Sequence, residues 1–209
     1  MAIRALLLDF NGTLSDDEAL LCSIFQELFA DLGKPIREEE YYDRLAGLSD
    51  PEVVEAWLGK PDPEVVARKI ERYRKLSGDG STVRPEARQA VRDAAERVAV
   101  AVVSGSARSE IEPVLEAAGL SSSIAALVAS EDIERGKPAP DGYRRALELL
   151  ELRPHEAVAV EDSDVGIAAA KAAGLRCVAV TGTLHLDRLS AADEIIESLD
   201  PDFVQRVLA

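Results

Sequence analysis

A short apolar run begins at Ile3, reaches Leu6-Leu7-Leu8 and stops at Asp9, with Phe10-Asn11-Gly12-Thr13 following at once. An unbroken apolar run bounded by turn residues predicts a buried strand that delivers a carboxylate to its own C-terminal end. After Leu14 the period changes. Leu20, Leu21, Ile24, Phe25, Leu28, Phe29 and Leu32 recur at three- and four-residue spacing until Gly33, the pattern of an amphipathic helix with a glycine stop. Further helices are predicted over 38–45, 51–58 and 63–76, with Asp50 and Asp62, each followed by proline, marking two of the starts. Ser77-Gly78-Asp79-Gly80-Ser81-Thr82 is the clearest linker in the chain.

Beyond that linker strands and helices alternate. A helix is predicted over 85–97, and a strand over 98–103 that ends at Ser104-Gly105-Ser106. A helix over 108–118 closed by Gly119, a strand at 126–129 and a helix at 140–150 follow. Next come a strand at 157–160 ending in Glu161-Asp162, a helix at 165–173 closed by Gly174, and a strand at 177–180. Strands separated by helices of this length imply a parallel sheet with right-handed crossovers. The fold class expected is α/β: a Rossmann-like parallel sheet core, residues 1–14 and 81–209, with an inserted α-helical cap at 15–80. Phe25, Phe29, Tyr41, Tyr42, Trp57 and Tyr73 all fall in the insert, and a small helical unit needs such bulk to fill its own core.

Composition narrows the function. At 47% apolar residues, 209 residues suffice for one domain with an insert. The net charge of −15 opposes nucleic acid. It does not oppose a phosphate ester, because a bound divalent cation and local donors reverse the sign inside a site. No run approaches ~18 consecutive apolar residues, so no membrane partner is expected. The first residues lack the zones of a signal peptide. Cys22 and Cys177 stand far apart and read as reduced core thiols, which together predicts a cytoplasmic protein; a monomer or weak homodimer is the expected assembly.

Asp9, Ser104, Lys137 and Asp162 each follow a predicted strand or sit in the loop after one. In a parallel sheet those ends share one edge, where ligands bind. These residues carry a specific resemblance. Asp9-Phe10-Asn11-Gly12-Thr13-Leu14, Val103-Ser104-Gly105-Ser106, Gly136-Lys137-Pro138 and Glu161-Asp162-Ser163 with Gly166 resemble, in order, the four motifs of the haloacid dehalogenase-like hydrolases. The closest similarity is to the branch with a helical cap inserted after the first motif, which includes phosphoglycolate phosphatases and β-phosphoglucomutases.

The resemblance implies a Mg²⁺-dependent phosphatase acting on a small phosphorylated metabolite, a phosphoric monoester or an acyl phosphate. Asp9 would attack phosphorus and carry an aspartyl-phosphate. Asp9, Asp162 and the backbone carbonyl of Asn11 would hold Mg²⁺, with Glu161 behind them or as a further ligand. Ser104, the Gly105 amide and Lys137 would hold the phosphate, helped by the amides of residues 10–13. Arg44 and Gly47 fall where relatives carry a specificity loop, so Arg44 would meet a second anionic group of the substrate. Residues 14–16 and 77–82 would be the hinges of cap closure.

The chain departs from the family at Asn11, where phosphatases and mutases carry the aspartate that acts as general acid and base. Asn exchanges no proton near neutral pH, and general acid–base catalysis is worth about 10²- to 10⁴-fold. Slow turnover of alkyl esters, and better turnover of acyl or aryl phosphates, is therefore expected. Asp16 and Asp17 are the acids nearby, Asp16 at a position associated with the hinge, and His185 comes from a late loop. The alternative is a catalytically silent protein that binds a phosphorylated ligand or a partner. A sugar-phosphate mutase is disfavoured, because Leu20-Leu21-Cys22 stand where mutases carry a cap histidine.

Overall fold

The computed structural model describes residues 2–209. Its centre is a six-stranded sheet in the order β3-β2-β1-β4-β5-β6. The strands are β1 (Ala5–Leu8), β2 (Ala99–Val103), β3 (Ala126–Val128), β4 (Ala157–Glu161), β5 (Arg176–Val180) and β6 (Glu194–Ile196). Every pairing is parallel. The central strands β1 and β4 are buried along their whole length, which explains why they read as unbroken Leu, Val and Ala runs.

Helices α1 (Glu18–Asp31), α2 (Glu38–Arg44), α3 (Asp50–Leu58) and α4 (Pro63–Ser77) lie between β1 and β2, followed by α5 (Pro85–Ala95). Then come α6 (Arg108–Ala117), α7 (Asp141–Leu149), α8 (Asp164–Ala172) and α9 (Pro201–Val207). The sequence pattern located all of these except β6 and α9. β6 has only three residues and is half-buried or exposed along its length, so it shows no apolar run.

The aromatics of α1–α3 fill that segment's own core. Phe25 stacks on Phe29 at 5.5 Å and on Tyr41 at 6.1 Å, and Phe29 stacks on Trp57 at 6.2 Å. The two chain crossings between this segment and the sheet run side by side. The Asp16 amide donates to the Thr82 carbonyl at 2.8 Å, and the Ser15 and Thr82 hydroxyls are 2.8 Å apart. A buried ion cluster joins α4 to α3 and α6: Lys69 Nζ lies 2.8 Å from Asp50 and 2.8 Å from Glu110. Cys22 and Cys177 are both buried free thiols. Among the described residues, no helix is long and apolar enough to cross a membrane.

Candidate active site

The register of the sheet builds the site. Leu8 pairs with Val102 on one side and Val160 on the other, so Asp9 leaves β1 beside Glu161. The Asp9 amide continues the ladder to the Val160 carbonyl at 2.9 Å. Asp162 follows one residue later. Asp9, Glu161 and Asp162 each present an oxygen, and these three oxygens lie within 4.8 Å of one another. All three residues are buried.

Lys137 enters from the loop between β3 and α7 and is itself buried. Its ammonium bonds Asp9 Oδ1 and lies 2.6 Å from Glu161 Oε1. Burial works against that charge, but Asp9 and Glu161 outweigh it and raise its pKa. Tyr143 of α7 donates to the same Glu161 Oε1 at 2.6 Å. The other oxygen, Glu161 Oε2, is buried without a partner. Burial, reinforced by Asp9, lifts Glu161 to about 7 against the pull of Lys137 and Tyr143. Asp162 is raised well above the usual carboxylate range by burial and by the charges of Asp9, Glu18 and Glu161. One lysine thus faces three carboxylates, and the orphan oxygen belongs to that cluster. Carboxylate oxygens at this spacing are the donor set of a hard divalent cation such as Mg²⁺.

Two glycines make room for these carboxylates. A Cβ on Gly166, in the first turn of α8, would fall 1.9 Å from Glu161 Oε2. A Cβ on Gly12, at φ 72°, would fall 1.9 Å from Asp162 Oδ2.

Ser104 follows β2, with its amide bonded to the Val128 carbonyl at 2.9 Å and its hydroxyl accepting from the Ser106 amide at 3.1 Å. Ser104, Gly105, Asn11, Gly47 and Lys137 all line one small hollow with Asp9 and Asp162. Its residual volume is about 30 Å³, and Gly47, Leu48, Asp50 and Val53 of the helical insert help to line it. Larger hollows elsewhere, including one of about 680 Å³ lined by Arg37, His185 and Arg188, contain none of the Asp9, Lys137 or Asp162 chemistry.

Several expected contacts are reassigned. Arg44 does not reach the hollow: its guanidinium sits 5.3 Å from the Trp57 ring centroid, on another face with Lys34 and Pro35. Gly47 is required for close packing, because a Cβ there would meet Ser163 at 2.7 Å. The Gly12 amide, expected among the phosphate donors, is already given to Asp17 Oδ1 at 3.2 Å. Asp16 pairs with Arg84, whose Nε lies 2.9 Å away, and His185 lies in the separate large hollow.

Sequence reasoning missed a network around Asn11. Its Nδ2 donates to Asp17 Oδ2 at 3.0 Å, and its Oδ1 accepts from Ser106 Oγ at 2.7 Å. Tyr73 of α4 also donates to Asp17 Oδ2. Burial raises Asp17 to about 6 despite these donors. Glu18, held by the Tyr41 hydroxyl at 2.8 Å, and Asp50 were missed as well. Both line the hollow, and their sequence signal was only a carboxylate at a helix start, which normally means solvent.

Comparison with known proteins places the chain in a family. Residues 6–180 match the family model described as haloacid dehalogenase-like hydrolase. Protein CbbY of Cereibacter sphaeroides is 33% identical, over 94% of this chain and 92% of its own. Hexitol phosphatase B of Escherichia coli K12 is 34% identical, over 85% of this chain and 83% of its own. The crystal structure of CbbY from Rhodobacter sphaeroides in complex with phosphate superposes with a TM-score of 0.84 at 31% identity, covering 94% of this chain and 95% of that one. With its carboxylates, lysine and serine gathered at the strand ends and this likeness along nearly its whole length, the chain belongs to the haloacid dehalogenase-like hydrolase family.

Proposed function

We propose that this protein is a Mg²⁺-dependent phosphatase of small sugar-phosphate-like metabolites, working through an aspartyl-phosphate on Asp9. The observation that carries the reading is the meeting of Asp9, Glu161 and Asp162 oxygens within 4.8 Å while Lys137 bonds Asp9. The names of the relatives, a hexitol phosphatase and a protein crystallised with phosphate, support the substrate class.

Asp9, Asp162 and the Asn11 carbonyl would hold Mg²⁺, with the unpartnered Glu161 Oε2 beside them; when bound, the ion supplies positive charge for the phosphoryl oxygens. The Asp9 carboxylate attacks phosphorus, the ester P–O bond breaks, and the alcohol oxygen leaves with the electron pair. Water then attacks the phosphorus of the aspartyl-phosphate, releasing inorganic phosphate and restoring the carboxylate. Lys137 orients Asp9 and neutralises charge on the transferring group, while Ser104 and the Gly105 amide bind its oxygens. Residues 15–80 act as the cap, and the crossings at 14–16 and 77–82 act as its hinge, since a hollow of about 30 Å³ must open to admit substrate.

Asn11 gives no proton to the leaving oxygen. Its carboxamide is held at both ends by Asp17 and Ser106, so it acts as a fixed hydrogen-bonding group. Acyl phosphates, whose leaving groups need little protonation, are turned over faster than alkyl esters. The same residue favours the second reading, a silent binder of phosphorylated ligands. Incubation with acetyl phosphate and an alkyl phosphate in Mg²⁺, with ³¹P detection of the Asp9 adduct and Asp9→Asn as control, separates the two. Adduct and turnover, faster for acetyl phosphate, are expected. Ligand binding without adduct or turnover selects the binder, and equal fast turnover of both substrates removes the role given to Asn11.

A further inference from the structure

We infer that the site selects phosphate monoesters whose alcohol half is hydroxylated and carries no second anion, and that Glu18 and Asp50 impose this choice. The inference rests on the phosphatase reading and deepens it.

The helical insert contributes Glu18, Leu21, Phe25, Leu48, Asp50 and Val53 to the lining of the hollow. Among the described residues, Lys137 is the one cation lining the hollow, and it is engaged by Asp9 and Glu161. The cation that pairs with Asp50, Lys69, does not line the hollow; it is fully buried and lies 2.8 Å from both Asp50 and Glu110. One ammonium against two carboxylates leaves that cluster negative. Arg44, the residue expected to receive a second anion, is turned away onto Trp57.

A substrate bearing a second phosphate or a carboxylate would therefore bury that anion among carboxylates with no counter-charge. Such burial is heavily penalised, and this repulsion is what excludes the wrong substrate. A neutral polyol meets the opposite situation. Its hydroxyls donate to carboxyl oxygens of Glu18 and Asp50, while its carbon face packs on Leu21, Phe25, Leu48 and Val53. The Tyr41 hydroxyl, 2.8 Å from Glu18 Oε1, fixes the orientation of that acceptor.

The test compares kcat/KM in Mg²⁺ for sorbitol 6-phosphate, fructose 1,6-bisphosphate and 2-phosphoglycolate at one ionic strength and at pH 8.5, where Glu18, raised by burial to about 7, is ionised. Acetyl phosphate reports the chemistry independently of the alcohol half. Sorbitol 6-phosphate is expected to exceed each doubly anionic ester by about tenfold or more, the ratio that ~1.4 kcal/mol of unfavourable interaction produces. Turnover of acetyl phosphate with either anionic ester equal to or above sorbitol 6-phosphate overturns the inference and leaves the phosphatase reading intact. No turnover of any of the four, with no adduct on Asp9, overturns the phosphatase reading and the inference with it. Glu18→Gln keeps an acceptor for Tyr41 and removes the charge. It is expected to narrow the sorbitol-to-glycolate ratio by about fivefold, with Asp50→Asn as a second variant. A ratio unchanged in Glu18→Gln overturns the assignment to these carboxylates.

Discussion

The carboxamide nitrogen of Asn11 donates to the carboxylate of Asp17 at 3.0 Å, so the residue that the sequence resemblance sets in place of a general acid is bound to an acid six positions on. Restoring aspartate at position 11 alone would set two carboxylates against each other beside Asp9. Asn11→Asp is therefore expected to leave alkyl-ester turnover low, and Asn11→Asp combined with Asp17→Asn to raise it by about tenfold or more, within the range of general acid–base catalysis. Steady-state kcat on one alkyl phosphate checks this. A single variant as fast as the double would show that Asp17 does not restrain position 11.

Asp162 is expected to weaken the metal-free protein, since burial and three neighbouring carboxylates all oppose its charge. Asp162→Asn should raise the Tm of the protein in chelator by a few degrees, about 2–4 °C per kcal/mol at this chain length. The same variant should abolish the rise in Tm that Mg²⁺ gives the parent protein. Thermal scans with and without Mg²⁺ decide it; an undiminished Mg²⁺ shift in the variant would remove Asp162 from the metal site.

Glu18 gives the protein a pH dependence of definite sign. Burial, with the charges of Asp17 and Asp9, raises it from 4.5 to about 7 against the opposing pull of Tyr41 and Lys69. Its folded-state pKa lies above its unfolded one, so the folded protein binds the extra proton between those values. That stability is fully present below about pH 4.5 and is lost as pH rises through 7, by about 3 kcal/mol for this group. Urea unfolding across pH 4 to 8 in chelator should show the decline and Glu18→Gln should flatten it. A slope identical in the two proteins would contradict the assignment.

Lys69 makes the corresponding statement about the α4–α6 contact. Lys69→Met leaves Asp50 and Glu110 buried without their cation and should cost about 3–5 kcal/mol. Adding Asp50→Asn and Glu110→Gln should recover most of it, because the unpaired charges and not the lost side chain carry the penalty. Urea midpoints of the three proteins test the point, and a loss under about 1 kcal/mol in the single variant would contradict it.

How far the sequence carried the picture depended on whether a signal was local. Asp9, Ser104, Lys137 and Asp162 were legible because each follows an apolar run or its loop, and a parallel sheet turns that order into one edge. The Asp17–Tyr73 contact spans 56 positions and leaves no local trace. Glu18 and Asp50 looked like solvated helix starts and instead face the hollow, a matter of how α1 and α3 pack over the sheet. Arg44 was expected at the site because of its place in the chain, but the Trp57 ring offers its guanidinium a closer partner. β6 was missed because three half-buried or exposed residues at a sheet edge have no pattern to read.

The pairing of Leu8 with Val160 has one more consequence. Asp9 and Glu161 are spaced by two hydrogen-bonded backbones, a ruler of about 4.8 Å that no side chain can stretch. Mutational drift among the helices of residues 18–77 can therefore remodel the choice of leaving group while the reactive chemistry keeps its gauge. Descendants of this gene could acquire new substrates long before they lost the ability to cleave one.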